Sequence, residues 1–249
     1  MKPVRTHVVG VLIAGLCLAG LAVTDASAQM LQSTDRAFGG ISFGAQTKAR
    51  TIATSGSLEI YEETATFGST VGIGSSGLLD VSAGARVWNN VGVGLGWSRY
   101  SDTSRGLVNA LIPSPLLFDS PTESSATLEG LKHTESQIHL SGYWLQPMTD
   151  KVDVSFYAGP TLFKVSQDLP GAITVTSGAS TIASISQSTV DESAVGLHAG
   201  FDVRYLVTRN VGAGLFARFT SGSVKTNAVT SGTIKVGGFQ YGIGLRVRY

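Results

Sequence analysis

From about residue 37 onward, apolar side chains alternate with small or polar ones in runs of roughly ten residues. In the last run, Phe239, Tyr241, Ile243, Leu245, Val247 and Tyr249 interleave with Gly238, Gln240, Gly242, Gly244, Arg246 and Arg248. A period of two places such sets on opposite faces of a β-strand. The same pattern over 41–45, 79–87, 91–97, 138–144, 152–162, 195–205 and 211–219 predicts eight strands in all. The connections alternate in length. Asn89-Asn90, 147–151 and 208–210 read as tight turns. The stretches 102–133, 167–192 and 221–235 read as long Ser/Thr/Gly-rich loops. Residues 48–77 form a further long connection, either a protruding hairpin around Thr54-Ser55-Gly56 or additional strands.

Short turns at one end and long loops at the other predict an eight-stranded antiparallel transmembrane up-and-down β-barrel. The less apolar face carries Gly repeatedly, with Arg, Asp, His and Gln, which suits a narrow interior where charges must pair. The other face, of Val, Leu, Ile, Phe, Ala, Tyr and Trp, suits lipid. Trp88, Trp97, Tyr100, Trp144, Tyr205 and Tyr249 stand near strand ends, where interfacial aromatic girdles belong. A soluble barrel with its apolar face inward would alternate in the same way. The loop asymmetry, the girdle, the N-terminal segment and the C-terminal strand favour the membrane.

Composition sharpens this picture. The chain has 249 residues, 43% hydrophobic and 14% charged, with 31 Gly and a formal net charge of +1. High hydrophobicity with low charge argues against disorder, and no basic patch points to nucleic acid. Residues 1–28 read as a cleaved secretory signal peptide: Lys2 and Arg5 precede an apolar run over 8–23, and Ala26-Ser27-Ala28 is a small-x-small cleavage site. The remaining 29–249 is expected to be a single outer-membrane barrel domain. Cleavage removes the only Cys, Cys17, and with Lys2, Arg5 and Asp25 gone the remaining chain is neutral. No disulfide or thiol chemistry is then available.

The terminal Gly242-Ile243-Gly244-Leu245-Arg246-Val247-Arg248-Tyr249 resembles the C-terminal insertion signal of outer-membrane barrels, in which a final aromatic follows alternating apolar residues. The region 37–249 as a whole resembles the small single-chain barrels of the OmpA-like, OmpX-like and OmpW-like group. That resemblance implies bacterial outer-membrane localisation, contact with outer-membrane lipid, and recognition of Ile243, Leu245, Val247 and Tyr249 by the barrel-assembly machinery. The C-terminal peptidoglycan-binding domain of OmpA-like proteins is not expected here.

Candidate chemistry is sparse. His139 and His198 fall on lumen faces, on strands that the expected order does not make neighbours, and they read as polar lumen residues; His133 is the third histidine outside the leader. No metal-ligand spacing, catalytic motif or cofactor site is predicted. Gly92, Gly94 and Gly96 alternate within a strand with no helix following, so they read as lumen packing and not as a phosphate loop. Asp80, Arg86, Asp153, Asp202, Arg204, Arg218, Arg246 and Arg248 all face inward and are expected to pair as a lumen charge network. Ser in place of the lumen-facing Gly214 is expected to cost much less than Arg in place of the lipid-facing Leu215, and so to be comparatively cheap. Residues 107–118 are apolar within a polar stretch and read as a loop packing on the barrel mouth or the membrane surface. The function expected is a structural or surface barrel, or a passage for small or hydrophobic solutes. A rim-active enzyme on lipid or peptide and a surface adhesion module are the alternatives, and no activity is assigned.

Overall fold

A computed structural model describes residues 36–47 and 50–249. The predicted signal peptide, with its cleavage residues Ala26 and Ala28, lies outside the described residues. Ten strands run β1 Ala37–Thr47, β2 Arg50–Ile60, β3 Glu63–Ile73, β4 Ser76–Trp88, β5 Val91–Ile112, β6 Thr122–Pro147, β7 Val152–Val175, β8 Ile182–Leu206, β9 Val211–Lys225 and β10 Thr233–Arg248. Eight of them close a ring. The sheet order β5-β4-β1-β10-β9-β8-β7-β6 is sealed by pairing of β5 with β6, and all of these pairs are antiparallel. Closure leaves no sheet edge within the ring, as a strand structure in hydrocarbon requires.

The two remaining strands extend the first hairpin. β1 pairs with β4, and β2 pairs with β3 beyond it, so β1–β2 and β3–β4 are the two arms of one long hairpin, the second arm interrupted at residues 74–75. Its tip is the two-residue turn Tyr61-Glu62, both at positive φ (54° and 63°), and not the expected Thr54-Ser55-Gly56. Such a pair of left-handed residues matches the twist of the flanking strands. β3 then pairs with the upper part of β5, from Thr66 opposite Leu111 to Val71 opposite Gly106.

The stretches expected as long loops are mostly strand. β5 runs on to Ile112 and β6 begins at Thr122; β7 reaches Val175 and β8 begins at Ile182. Above the ring they form a head in which β2-β3-β5-β6 and β7-β8 pair separately, the β6–β7 pairing ending at His133 opposite Gln167. β9 leaves β8 at Gly222, opposite Gly196, and the β9–β10 hairpin is shorter. Half of the supposed apolar loop, 107–112, is therefore β5 strand, with Val108, Ala110 and Ile112 buried.

These strands escaped the alternation because their apolar side chains change face on leaving the membrane. Within the ring, Leu95, Trp97, Ile138, Leu140, Leu162, Val195, Phe219 and Phe239 are exposed on the outer wall. Above it, Val108, Leu131, Phe163, Val165, Val224, Ile234 and Val236 are buried inside. The parity flips between Leu162 and Phe163 in β7, and between Ala194 and Val195 in β8. An apolar side chain follows the apolar phase, which is lipid outside the ring and packed side chains inside the head. An outer wall this apolar is untenable in water, so the ring is a membrane-spanning barrel.

The same parity corrects one girdle residue. Trp88, Trp97, Trp144, Tyr205 and Tyr249 are outward and exposed, but Tyr100 is 1% exposed, with its ring inside and its hydroxyl donating to the Gly74 carbonyl.

Candidate functional site: the charge-filled lumen

Within the membrane-spanning ring the lumen is occupied by side chains from every wall. Arg246 on β10 lies between Gly40 on β1 and Gly214 on β9, where a Cβ would come within 2.8 Å and 2.7 Å of its side chain. Those two glycines make the slot through which the guanidinium reaches past β9 to Asp202 on β8. Its Nε donates to Asp202 Oδ2 at 2.9 Å, its Nη2 donates to the same oxygen at 2.5 Å, and its Nη1 donates to Ser42 Oγ at 2.7 Å. The expectation that a Ser at position 214 would be cheap is therefore wrong: its Cβ would collide with Arg246 Cγ and approach the Val203 carbonyl.

Arg218 on β9 crosses the lumen to Asp80 on β4, Nη2 to Oδ2 2.6 Å, while its Nε donates to Gln240 at 2.8 Å. Asp153 near the turn end is shared by Arg204 at 3.5 Å and Arg248 at 3.2 Å. Arg86 stands half-buried at that mouth, Nη1 3.4 Å from the Asn89 carbonyl. All eight of these charges point inward; Arg218–Asp80, Arg246–Asp202 and Arg248–Asp153 join non-neighbouring strands, and Arg204 meets Asp153 across the β7–β8 pair.

Phe38, Tyr143 and Tyr157 fill the space beside them. Phe38 and Tyr143 meet edge to face at 4.9 Å, and a Cβ on Gly94 would strike the Tyr143 ring at 2.9 Å. This is the packing that the alternating glycines of β5 serve. What remains is a cavity of about 40 Å³ lined by Asp80, His139, Tyr143, Asp202, Arg218 and Arg246 among others. That is room for a few waters at most.

The two lumen histidines meet although β7 lies between their strands. Their rings pack edge to face at 4.8 Å. Thr161 Oγ1 on β7 is 2.9 Å from Nδ1 of both, Ser98 Oγ is 2.9 Å from His139 Nε2, and Ser141 Oγ is 2.9 Å from His198 Nε2. All four ring nitrogens face hydroxyls. Because Thr161 has one proton to give, the tautomer of one ring constrains the other. With every nitrogen engaged and both residues buried, the pair is suited to holding the four strands β5 to β8 together.

A second cluster, absent from the predicted set, caps the lumen. Glu135 on β6 is fully buried and accepts from Arg50 Nη2 (2.7 Å), His133 Nε2 (2.9 Å), Gln137 Nε2 (3.1 Å), Gln46 Nε2 (3.2 Å) and the Gly237 amide (2.9 Å). Arg50 also donates to the Lys235 and Gly237 carbonyls. Gln240 links this layer to Arg218 by donating to Gln46 at 2.6 Å and Gln137 at 3.0 Å. Arg99 and Lys164 are exposed on the outer wall at this level, so Glu135 sits above the lipid-facing band. Burial alone would raise the Glu135 carboxyl. The His133 hydrogen bond, the Arg50 charge and the Gly237 amide outweigh it and hold the carboxyl below the ordinary carboxylate range. Continuing the period of two back from Gln137 would have found Glu135 and His133.

The fold and its filled lumen define a small single-chain membrane β-barrel with a β-structured head. No family model and no curated protein matches the chain. Solved structures similar to it include the Neisserial surface protein A (NspA), at 19% identity over 86% of this chain and 99% of that one, TM-score 0.39. The N-terminal β-barrel domain of Pseudomonas aeruginosa OprF matches at 11% identity over 86% and 98%, TM-score 0.37. The outer membrane protease OmpT from Escherichia coli matches at 9% identity over 89% and 99%, TM-score 0.45.

Proposed function

We propose that this protein is a closed outer-membrane barrel that serves as a surface scaffold, anchoring its head on the outside of the cell, and not a solute pore. The observation that carries this reading is the lumen itself. Arg218–Asp80, Arg246–Asp202 and Arg248–Asp153 join strands that are not neighbours, Arg204 pairs with Asp153 opposite it on β7, and the cavity beside these pairs is about 40 Å³. Eight strands enclose little more than side chains, and charges held there are stable only when paired. The signal peptide would export the chain. Ile243, Leu245 and Val247 on the lipid face of β10, with the final Tyr249, would be read by the assembly machinery, leaving the short turns periplasmic and the head extracellular. The test is conductance of refolded protein in planar bilayers. Little or only brief current is expected from the unmodified protein. A large, steady, ohmic conductance would overturn the scaffold reading in favour of a passage.

A further inference from the structure

We infer that the far tip of the head is a docking surface for a polypeptide segment that presents apolar side chains beside Lys or Arg. The inference rests on the reading of the head as extracellular only for its biological setting. The tip is a built structure, since three hairpin ends are tied there. The Gly178 amide donates to Tyr61 Oη at 3.1 Å, Ser180 Oγ to the Pro113 carbonyl at 3.0 Å, the Asp119 amide to Glu63 Oε1 at 3.3 Å, and the Ile182 amide to Ser124 Oγ at 3.1 Å. Beneath these ties, Val108, Ala110, Ile112 and Ile173 form a small core of their own.

On this support the β5–β6 connection turns Leu116, Leu117 and Phe118 away from that core, 90%, 63% and 75% exposed. Ser114 Oγ accepts from the Leu116 and Leu117 amides at 3.3 and 3.2 Å, and Pro113 and Pro115 flank it, so the presentation is fixed by local structure. β5 ends at Ile112, fifteen residues beyond the interfacial Trp97, and Phe118 follows in the connection, so at about 3.3 Å per residue it lies tens of ångströms along the strand from the bilayer that holds the barrel. Burial in that bilayer is therefore not what these side chains serve. On the strands that carry this connection a cleft of about 710 Å³ opens across β3, β5 and β6, lined by Thr66, Phe67, Asn109, Leu111, Glu123 and Ser125. The volume lies within the range of ligand-binding clefts.

Charge selects the occupant. Glu59, Glu62, Glu63, Asp119 and Glu123 belong to the tip, and residues 51–66, 107–125 and 174–184 contain no Lys or Arg. A second copy meeting tip to tip would bring like charges together, and an anionic lipid surface would be repelled in the same way. A basic, apolar polypeptide complements both the exposed side chains and their rim.

The test uses full-length refolded protein in detergent and fluorescence anisotropy at low ionic strength. The probe is a labelled Gly-Lys-Leu-Phe-Lys-Gly peptide, compared with a twin carrying Glu for both Lys and a twin carrying Ser for Leu and Phe. The parent peptide should bind saturably and at least about tenfold more tightly than either twin. The Leu116→Ser/Leu117→Ser/Phe118→Ser variant should lose about tenfold or more in affinity. Glu63→Gln/Glu123→Gln should lose about two- to fivefold, with a weaker salt dependence. Heat-modifiable migration in gels checks that each variant is folded, and Phe118→Ser alone replaces the triple variant if that one is not. Equal binding of the three peptides, or unchanged affinity in the folded tip variants, overturns the proposal. So does tip-dependent flotation with phosphatidylcholine vesicles in place of peptide binding, which would assign the tip to a lipid surface. None of these outcomes depends on whether the barrel conducts.

Discussion

The Arg246–Asp202 pair offers the sharpest test of the filled lumen. The guanidinium and carboxylate make contacts of 2.5–3.1 Å, with the side chains 8% and 16% exposed. At about 3 Å and an effective dielectric of about 20, their gross attraction is about 5–6 kcal/mol. Desolvation of both ions cancels much of this, so the pair as a whole contributes little net stability. Removing one partner is different, because it leaves the other ion buried without its counter-charge, at a cost of about 3–5 kcal/mol. Asp202 keeps some access to the small lumen cavity, so the low end applies, about 3 kcal/mol for Arg246→Met. Asp202→Asn should cost less, since Ser42 Oγ and the Leu245 carbonyl still accept from the Arg246 Nη1. The double variant removes both charges, and its cost should fall short of the sum of the singles by at least about 2 kcal/mol. Urea unfolding and refolding in lipid vesicles supplies all four corners of this cycle. Single-variant costs below about 1 kcal/mol, the range of exposed pairs, would refute the reasoning. Additivity within about 0.5 kcal/mol would refute it as well.

Other outcomes follow from the same geometry. Leu215→Arg, outward on β9 near mid-strand, should cost about 2–4 kcal/mol in the same vesicle titration; Gly214→Ser, one residue away but facing Arg246, should cost about 1–3 kcal/mol by overpacking and not be neutral. Because the folded Glu135 carboxyl is held below its unfolded value, its contribution is present above the ordinary carboxylate range, near pH 4.3, and is lost as pH falls through the lower folded value. The urea midpoint of the unmodified protein should therefore decline below about pH 4, and Glu135→Gln should start lower and decline less. Deleting Tyr249 should block assembly, read as loss of the heat-modifiable form from the outer-membrane fraction.

The membrane-spanning half of each strand was legible because lipid on one face and a crowded lumen on the other impose a strict alternation. All eight lumen charges follow from that register alone. The head was not legible for a physical reason. Above the membrane the outward positions are Ser, Thr and charged residues, the apolar positions change parity, and bulges at Ser104/Gly106 and Pro170/Ile173 shift the register. Each effect breaks a period-two pattern read from below, so these strands read as loop. Tyr100 reads as a girdle residue by its type, whereas counting in twos from Trp97 puts it inside. Arg50 opens β2, beyond the alternating run of β1, and no period-two pattern in the sequence assigns it.

The change of parity also bears on the proposal that the barrel is closed. Below the flip, the lumen is polar and filled by crossing ion pairs. At the flip, Gln46, Gln137 and Gln240 join Arg218 to Glu135 in one hydrogen-bonded layer. From that level upward, Tyr100, Leu131, Phe163, Val165 and Val236 belong to a single apolar cluster drawn from strands around the wall. A solute would have to displace ions, then a hydrogen-bonded layer, then a packed core. The obstacles are in series, so removing one does not open the path. Neutralising Asp202, Arg204 and Arg218 together should therefore lower stability in urea while bilayer conductance stays low, because the apolar cluster is untouched. A pore opened by those lumen substitutions alone would show that the head does not seal the barrel, and that the ion pairs were the only gate.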